Sequence, residues 1–305
     1  MPAAFVPAGY PMFPGVYLKS RKFSLFLCFQ VHLTKKGSCD RMKIGFIGCG
    51  NMATAMLKGI LKSGEVAATD MIASAKSDKT RKKIEQELGI QKADTNAQVV
   101  DFADVVFLAV KPQFLEGVLN EIKDSVKEEQ IFISIAPGKT IQWFADKLGE
   151  KTKVIRTMPN TPAMVGEGMT ALCVNDLVTE EETALAVKLC NTFGKTEVIP
   201  EHLMDAVVGI SGSSPAYVFM FLEAMADAAV ADGMPRAQAY KFAAQAVLGS
   251  AKMVLETGKH PGELKDMVCS PAGTTIEAVG VLEEHGFRSA VIDAMKACVD
   301  VAKGM

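Results

Sequence analysis

One stretch constrains the fold of this chain more than any other. A short apolar run, KIGFIG, ends in closely spaced glycines and leads directly into a helical pattern, MATAMLKGILKSG. The glycines belong to a G-x-G-x-x-A sequence that ends at Ala53. In a strand–turn–helix unit the first glycine makes the tight turn, the second lets a pyrophosphate approach the backbone, and the small third residue allows close packing. The stretch predicts a dinucleotide site formed by Ile47, Gly48, Cys49, Gly50, Asn51 and Met52.

A glycine-rich turn that binds nothing is the plainer interpretation of this motif. The segments that follow argue against it, because strand-like and helix-like patterns alternate along the chain. Candidate strands lie at 70–75, 104–110, 130–136 and 153–159, with helical patterns at 78–89 and 112–126. Such alternation is typical of a parallel sheet that is covered on both faces.

After about residue 180 the strand signals fade, and long helical stretches broken by Gly and Pro take over. We therefore predict an α/β chain with an N-terminal Rossmann-type doubly wound parallel sheet over residues 42–200. An all-helical C-terminal domain is expected over residues 201–305.

The composition excludes several classes of function. Charged residues make up 22% of the 305 residues and the net charge is −2, so the chain has no basic field for nucleic acid or an anionic membrane. No apolar run in the sequence approaches the ~18–20 residues of a membrane-spanning helix. The seven cysteines include no C-x-x-C pair, which favours reduced thiols over a disulfide framework or a metal site. We expect a cytoplasmic protein without bound metal.

Residues 1–41 differ from the rest, since they show no helical or strand periodicity. We expect them to be an extension that is disordered or non-native, with folding beginning at Met42. A poorly formed organelle-targeting leader is the alternative, although KSRKFSLFLCF has only a short apolar core and no A-x-A-like site follows it.

The end of the second candidate strand bears on which nicotinamide cofactor binds. Sites for NAD usually carry Asp or Glu there, about 20 residues after the glycines, to hold the ribose 2′-hydroxyl. Here Ser74, Lys76 and Ser77 occupy the region, and no carboxylate precedes Asp78. Hydroxyl groups and a cation suit a 2′-phosphate, so the sequence favours NADPH through Ser74 and Lys76, with NADH as the alternative. The alternative is that Lys76 and Lys79 only form a solvated helix start.

Three further segments carry a resemblance. They are VIRTMPNTPAMVGEG (154–168), VVGISGSSPAYVFMFLEAMADAAVADGMPR (207–236) and LKDMVCSPAGTTIEAV (264–279). Together with the opening motif they resemble the pyrroline-5-carboxylate reductase family, from about residue 43 to the end. Two positions depart from the family pattern: Ala272 and Ser214 stand where glycine is common.

The resemblance implies an NAD(P)H-dependent oxidoreductase that reduces the cyclic imine 1-pyrroline-5-carboxylate to L-proline, the last step of proline biosynthesis. It implies that the helical region serves dimerisation and substrate binding, and that the homodimer assembles into a ring of dimers. It also implies that residues near the nicotinamide and adenosine come from strand ends, where ligands bind in such sheets: Asn96, Ala109, Val110, Lys111, Pro112, Ala136 and Pro137.

The segment SPAGTT has the chemistry for the substrate. SPAG is a turn, and Thr274-Thr275-Ile276-Glu277 fits a capping box, with Thr274 as the N-cap and Glu277 at N3. The leading N–H groups of that helix would bind a small carboxylate. We predict that Ser270, Gly273, Thr274 and Thr275 bind substrate and that the Ser270 and Thr275 hydroxyls act on the ring nitrogen. Plainer roles are a simple cap for Thr274 and a packed thiol for Cys269.

Two other functions are compatible with a two-domain Rossmann chain. A reductase of the β-hydroxyacid dehydrogenase type needs a general base on a helix of the second domain, for which Lys252 is the candidate. A non-enzymatic NADP-sensing protein would keep the fold without turnover, but the SPAGTT hydroxyls argue against it.

Overall fold

The computed structural model describes residues 41–304, so the prediction for residues 1–41 lies outside the described residues except at Arg41. Eight strands form one sheet: β1 (Ile44–Ile47), β2 (Met71–Ser74), β3 (Gln91–Ala93), β4 (Val105–Leu108), β5 (Ile131–Ser134), β6 (Lys153–Met158), β7 (Gly168–Val174) and β8 (Gly194–Val198).

Twelve α-helices accompany the strands in the described part of the chain. They are α1 (Asn51–Ser63), α2 (Asp78–Gln86), α3 (Asn96–Phe102), α4 (Pro112–Ile122), α5 (Ile141–Leu148), α6 (Glu180–Cys190), α7 (Met204–Val207), α8 (Ser214–Ala231), α9 (Arg236–Thr257), α10 (Pro261–Val268), α11 (Thr274–Glu284) and α12 (Phe287–Lys303). A π-helical turn, Val208–Gly212, connects α7 to α8.

The strand order is β3-β2-β1-β4-β5-β6-β7-β8, and strands β1 to β6 run parallel. The chain moves outward from β1 through β2 to β3 and then crosses to the other side of β1 at β4. Parallel sheets bind ligands where the order reverses in this way, outside the carboxyl ends of the two central strands. The fold therefore places its crevice between the loops that follow β1 and β4.

Apolar side chains cover both faces of the sheet, because the central strands β1, β4 and β5 are buried along their whole length. One face packs against α1 and α6, and the other against α3, α4 and α5. Phe46 and Phe107, on adjacent strands, stack with ring centroids 4.5 Å apart. The continuous apolar runs in the sequence are explained by this two-sided burial, and the predicted Rossmann-type architecture is confirmed.

Two details of the sheet differ from the prediction. Strand β7 pairs antiparallel with β6, so the sheet is not entirely parallel. Strand β8 lies beyond residue 180, where strand signals fade in the sequence; it is an edge strand with the largely exposed sequence GKTEV. An edge strand has fewer buried neighbours and needs no apolar run, which is why its residues gave no signal.

The helices that follow β8 bury little of their surface within this chain. Helix α8 buries only Ala226, and the 22-residue helix α9 buries only Ala239 and Ala243. The continuous helical run Glu201–Ala231 is long and apolar enough to cross a membrane, by length and composition only. The expectation that no apolar run approaches the length of a membrane span is therefore wrong for this segment. Uncharged Gly and Ser residues interrupt its apolar residues, so the sequence does not show it as one continuous apolar run.

Candidate functional site

The loops after β1 and β4 meet at Gly48. Its φ of 93° lies in the region that favours glycine. Its N–H donates to the Ser74 carbonyl at 3.1 Å, while the Ala109 N–H donates to the Ile47 carbonyl at 2.8 Å. A Cβ added to Gly48 would lie 2.7 Å from the Ala109 carbonyl oxygen. Glycine is required here by both conformation and space, and the structure brings Ala109 and Val110 beside the glycine motif.

The N-terminus of α1 faces open space at the second glycine. Gly50 is the N-cap, and a Cβ built on it would have no atom within 4 Å. The first helical hydrogen bond runs from the Thr54 N–H to the Gly50 carbonyl at 2.9 Å, so the preceding N–H groups of α1 have no partner inside the helix. This end of α1 fits a pyrophosphate, which needs free N–H groups and close backbone approach.

Cys49 and Ala53, the other small residues of the motif, point into the core, with 4% and 1% of their surface exposed. Burial raises the pKa of the Cys49 thiol above its ordinary value, an effect that the contact with Thr54 partly offsets. The Cys49 thiol therefore stays protonated and faces the core, so only the backbone of this residue can contact a ligand.

Ser74 at the end of β2 has a structural partner. Its side chain is 5% exposed, and its hydroxyl donates to Asn96 Oδ1 at 2.6 Å. Asn96 Nδ2 in turn donates to Glu121 Oε2 at 2.8 Å. The chain of bonds fixes the start of α3 against the end of β2. Binding of the cofactor by Ser74 and Asn96 stays a prediction, and the Ser74 hydrogen is already used within the protein.

Two cations lie near the end of β2: Lys76 in the loop, which was predicted to bind the cofactor, and Arg81 in α2, which was not predicted. Arg81, one turn into α2, donates from Nε to the Ala75 carbonyl at 2.7 Å. Lys76 Nζ lies 5.5 Å from the centroid of the Phe114 ring at the start of α4. An arginine one turn into the helix that follows β2 is the signal that could have identified Arg81, because its length lets the side chain fold back to the strand end.

The remaining predicted cofactor residues lie at the carboxyl ends of β4 and β5. Lys111 is the N-cap of α4 and Pro112 is its first residue, a position that proline favours. Ala136 follows β5 and is 2% exposed, and its N–H donates to Ser134 Oγ at 3.2 Å. Pro137 follows it, partly buried. All of these residues lie on the ligand-binding edge of the sheet, and their contacts with a cofactor remain predictions.

Two long-range contacts, neither of them predicted from the sequence, join this edge to the segment that begins the helical region. Asn160 accepts from the Met169 N–H at 2.8 Å and donates from Nδ2 to the Ser211 carbonyl at 3.0 Å. Arg156 pairs with Glu201 at 3.0 Å, and the same carboxylate oxygen accepts from the Ile141 N–H at 2.7 Å. The motif MPNTP thus anchors the π-helical turn to the end of β6.

The SPAGTT turn differs from its prediction at one residue. Helix α11 begins at Thr274 with Gly273 as its N-cap, and the Gly273 N–H donates to the Ser270 carbonyl at 3.1 Å. The capping box of Thr274 and Glu277 is wrong, because Gly273 takes the extended N-cap conformation (φ −83°, ψ 168°) and Thr274 is already helical. Glycine has no side chain with which to cap, so the first N–H groups of α11 remain available to a ligand.

Ser270 lies directly over this helix start. A Cβ added to Gly273 would overlap Ser270 Oγ, so the glycine lets the hydroxyl approach. Ala272 between them has φ 55° and is the only residue other than glycine with positive φ among residues 41–304. The turn places Ser270, Gly273, Thr274 and Thr275 at one helix end, and their binding of substrate stays a prediction.

In the described part of the chain, no polar contact connects the turn to the nucleotide crevice. Across residues 41–304, no hydrogen bond or ion pair joins 261–284 to 41–200. In the same range no cluster of three His, Cys, Asp or Glu could hold a metal ion. Lys252 is 66% exposed and pairs with Glu256 at 3.4 Å along α9, so it lies on a solvated helix face.

Comparison with known proteins assigns the family. Residues 201–305 match the model described as pyrroline-5-carboxylate reductase dimerisation, and residues 43–138 match one described as NADP oxidoreductase coenzyme F420-dependent. The pyrroline-5-carboxylate reductase of Escherichia coli is 56% identical over 258 residues, which cover 85% of this chain and 96% of that protein.

The chain belongs to the pyrroline-5-carboxylate reductase family. Solved structures of family members agree with its fold. That of a pyrroline-5-carboxylate reductase from Coxiella burnetii has a TM-score of 0.81 at 34% identity and covers 87% of this chain and 98% of its own. The Plasmodium falciparum pyrroline carboxylate reductase, solved with NADP bound, has a TM-score of 0.77 at 30% identity, with coverage of 86% and 97%. The resemblance seen in the sequence motifs is confirmed.

Proposed function

We propose that this member of the family reduces 1-pyrroline-5-carboxylate to L-proline, the last step of proline biosynthesis, with NADPH as the reductant and NADH as the alternative. The observation that carries the proposal is the 56% identity to the Escherichia coli reductase over 96% of that protein's length. We place the cofactor-binding domain at residues 42–200, the dimerisation and substrate domain at 201–305, and the protein in the cytoplasm.

The cofactor would lie across the crevice outside the carboxyl ends of β1 and β4. The N–H groups at the start of α1 bind the pyrophosphate, and Gly50 leaves the space that it needs. The residues after β4 and β5, from Ala109 to Pro112 and at Ala136 and Pro137, border the nicotinamide end. When bound, the reduced nicotinamide supplies the hydride that the imine carbon accepts.

The SPAGTT turn binds the substrate. Its leading N–H groups and the positive end of the α11 dipole hold the carboxylate. The Ser270 and Thr275 hydroxyls accept a hydrogen bond from the protonated ring nitrogen, which fixes the ring in position. No strong base is required, because the imine takes its proton from solvent before it binds. The chain's contribution is to hold the imine carbon against the nicotinamide.

We propose that the two halves of the site come from different subunits of a homodimer. Large apolar side chains project from α8 to α12 into solvent in the single chain, with Phe219 60%, Phe242 67% and Leu255 83% exposed. Apolar surface of this extent favours a protein partner. Such a dimer would carry the SPAGTT turn to the crevice of the partner subunit, and we propose that dimers assemble further into a ring.

The test is oxidation of NADPH by the purified chain with 1-pyrroline-5-carboxylate, followed by the loss of reduced-nicotinamide absorbance, with proline identified as the product. Tight NADPH binding without turnover would favour the sensing protein. Oxidation of a β-hydroxy acid with NADP⁺, and none of the imine, would favour the dehydrogenase; the paired, exposed Lys252 argues against that result.

A further inference from the structure

Two residues that have no role so far, Arg81 and Phe114, lie with Lys76 at the carboxyl edge of the sheet, after β2 and β4. The group consists of Lys76 in the loop after β2, Arg81 in α2 and Phe114 in α4, and we call it the adenosine corner. Arg81 contacts the loop at Ala75, and Lys76 lies against Phe114. Phe114 is 54% exposed although it is a large aromatic side chain. Since β2 and β4 flank β1 on opposite sides, this corner spans the two loops between which the adenosine of a dinucleotide lies.

We propose that Arg81 binds the 2′-phosphate of NADPH and that the Phe114 ring stacks on the adenine. This inference rests on the proposed use of a nicotinamide cofactor and names the residues that choose between its two forms.

The Arg81 side chain is held in place before any ligand binds. Its Nε donates to the Ala75 carbonyl at 2.7 Å, and its Nη1 lies 3.7 Å from Asp78 Oδ1. Ala75 is the first residue after β2, where the ribose 2′ position of a dinucleotide lies. Within the described residues Nη2 has no hydrogen-bond partner, and 36% of the side chain is exposed. A planar guanidinium fixed on one edge can present its other edge to a phosphate.

Asp78 affects the discrimination between NADPH and NADH. It is 91% exposed, and its Oδ1 lies 3.7 Å from Arg81 Nη1. The Arg81 guanidinium beside it offsets its negative charge, so a phosphate dianion can bind nearby without repulsion. If Arg81 is removed, the unpaired Asp78 repels a 2′-phosphate and leaves binding of a 2′-hydroxyl unharmed.

Phe114 provides a flat apolar face next to these charges. Lys76 Nζ now lies over the ring, 5.5 Å from its centroid. An adenine stacked on the ring would displace this ammonium, which is exposed and free to turn toward the 2′-phosphate. Stacking of a base on an aromatic ring does not depend on the phosphate, so Phe114 should contribute equally to NADPH and NADH.

Titration calorimetry of the full chain with NADPH and with NADH tests both assignments. Arg81→Gln should weaken NADPH binding about ten- to hundredfold, the loss of a charge-assisted bond, and change NADH binding less than about threefold. Phe114→Ala should weaken both cofactors by a similar factor. Lys82→Gln removes the same charge from the next position of α2 and is the matched control, for which neither affinity should change.

The inference is overturned if Arg81→Gln weakens both cofactors equally, which a merely structural role would give, or if Lys82→Gln matches its effect. Arg81→Lys, which keeps the charge, should recover part of the NADPH affinity and guards against a folding defect. These are binding measurements, so they separate two failures. A chain that binds NADPH through Arg81 but does not reduce the imine refutes the proposed function alone, and a normal reductase indifferent to Arg81 refutes this inference alone.

Discussion

Alanine at Gly48 should lower the stability of the fold, whereas alanine at Gly50 should weaken NADPH binding and leave stability nearly unchanged, although only one residue separates the two glycines. At Gly48 a side chain must adopt φ 93° and place its Cβ 2.7 Å from the Ala109 carbonyl oxygen. The left-handed backbone costs about 1–2 kcal/mol and the overlap about 1–3 kcal/mol. The smaller entropy of the unfolded chain offsets about 0.4–1 kcal/mol of this. Gly48→Ala should therefore lower the free energy of unfolding by about 1–4.6 kcal/mol, or the melting temperature by roughly 2–18 °C.

At Gly50 the same methyl group enters open space with an ordinary φ of −74°. An N-cap loses at most about 1 kcal/mol when glycine becomes alanine, and the unfolded-state effect has the opposite sign. The stability of Gly50→Ala should stay within about 1 kcal/mol of the wild type. Its methyl group occupies the approach of the pyrophosphate, so NADPH binding should weaken about ten- to hundredfold, the equivalent of an overpacking cost of a few kcal/mol.

Urea unfolding gives the first quantity, and titration of nicotinamide fluorescence with NADPH gives the second. Gly117→Ala is the matched control, because Gly117 lies within α4 with no atom near an added Cβ; it should stabilise slightly and leave NADPH binding alone. The reasoning is refuted if Gly50→Ala unfolds as easily as Gly48→Ala, or if it folds and binds NADPH with wild-type affinity.

Three other substitutions test the substrate turn and the core. Thr275→Val keeps the shape but removes the hydroxyl, so kcat/KM for the imine should fall about ten- to hundredfold with NADPH affinity unchanged; full activity in this variant, with none in Cys269→Ala, would point to thiol chemistry instead. Ala272→Gly relieves a φ of 55°, a gain of about 1–2 kcal/mol less about 0.4–1 kcal/mol of chain entropy, so urea unfolding should show equal or slightly higher stability; a clear loss would contradict the left-handed conformation. Burial raises the pKa of the Cys190 thiol to about 12 from the ordinary 9.0. Above pH 9.0 the unfolded chain therefore releases this proton while the folded chain still holds it. The contribution of the protonated thiol to stability is complete below pH 9.0 and is lost as the pH rises toward 12. At about 1.5 pH units above the ordinary value the wild type should have lost about 2 kcal/mol more than Cys190→Val, and parallel pH profiles of the two proteins would refute the burial argument.

The parts of the fold that the sequence predicts are those with local causes. Strands β1, β4, β5 and β6 are buried on both faces and therefore appear as apolar runs, and the glycines at 48 and 50 meet a backbone requirement within their own turn. Strands β3 and β8 are short, polar edge strands whose pairing depends on the neighbouring strand. No pattern within QKA or GKTEV marks them.

The candidate site shows the same division. The letters T-x-x-E fit a capping box, but the conformation of Gly273 decided where α11 starts. Cofactor binding by Ser74 stays a prediction, and its hydrogen bond to Asn96, 22 residues away, depends on the fold of the whole domain. Pairs such as Asn160 with Ser211 and Arg156 with Glu201 join positions 51 and 45 residues apart, so the arrangement of the whole chain determines them.

The sparse burial of α8 and α9 has a thermodynamic consequence. Two helices of 18 and 22 residues that bury three alanines between them contribute little packing free energy within one chain. If a second subunit supplies the rest, the folding free energy includes an association term, and each tenfold dilution removes about 1.4 kcal/mol of it per dimer. The melting temperature would then rise with protein concentration, and a stability measured at a single concentration would describe the sample as much as the sequence.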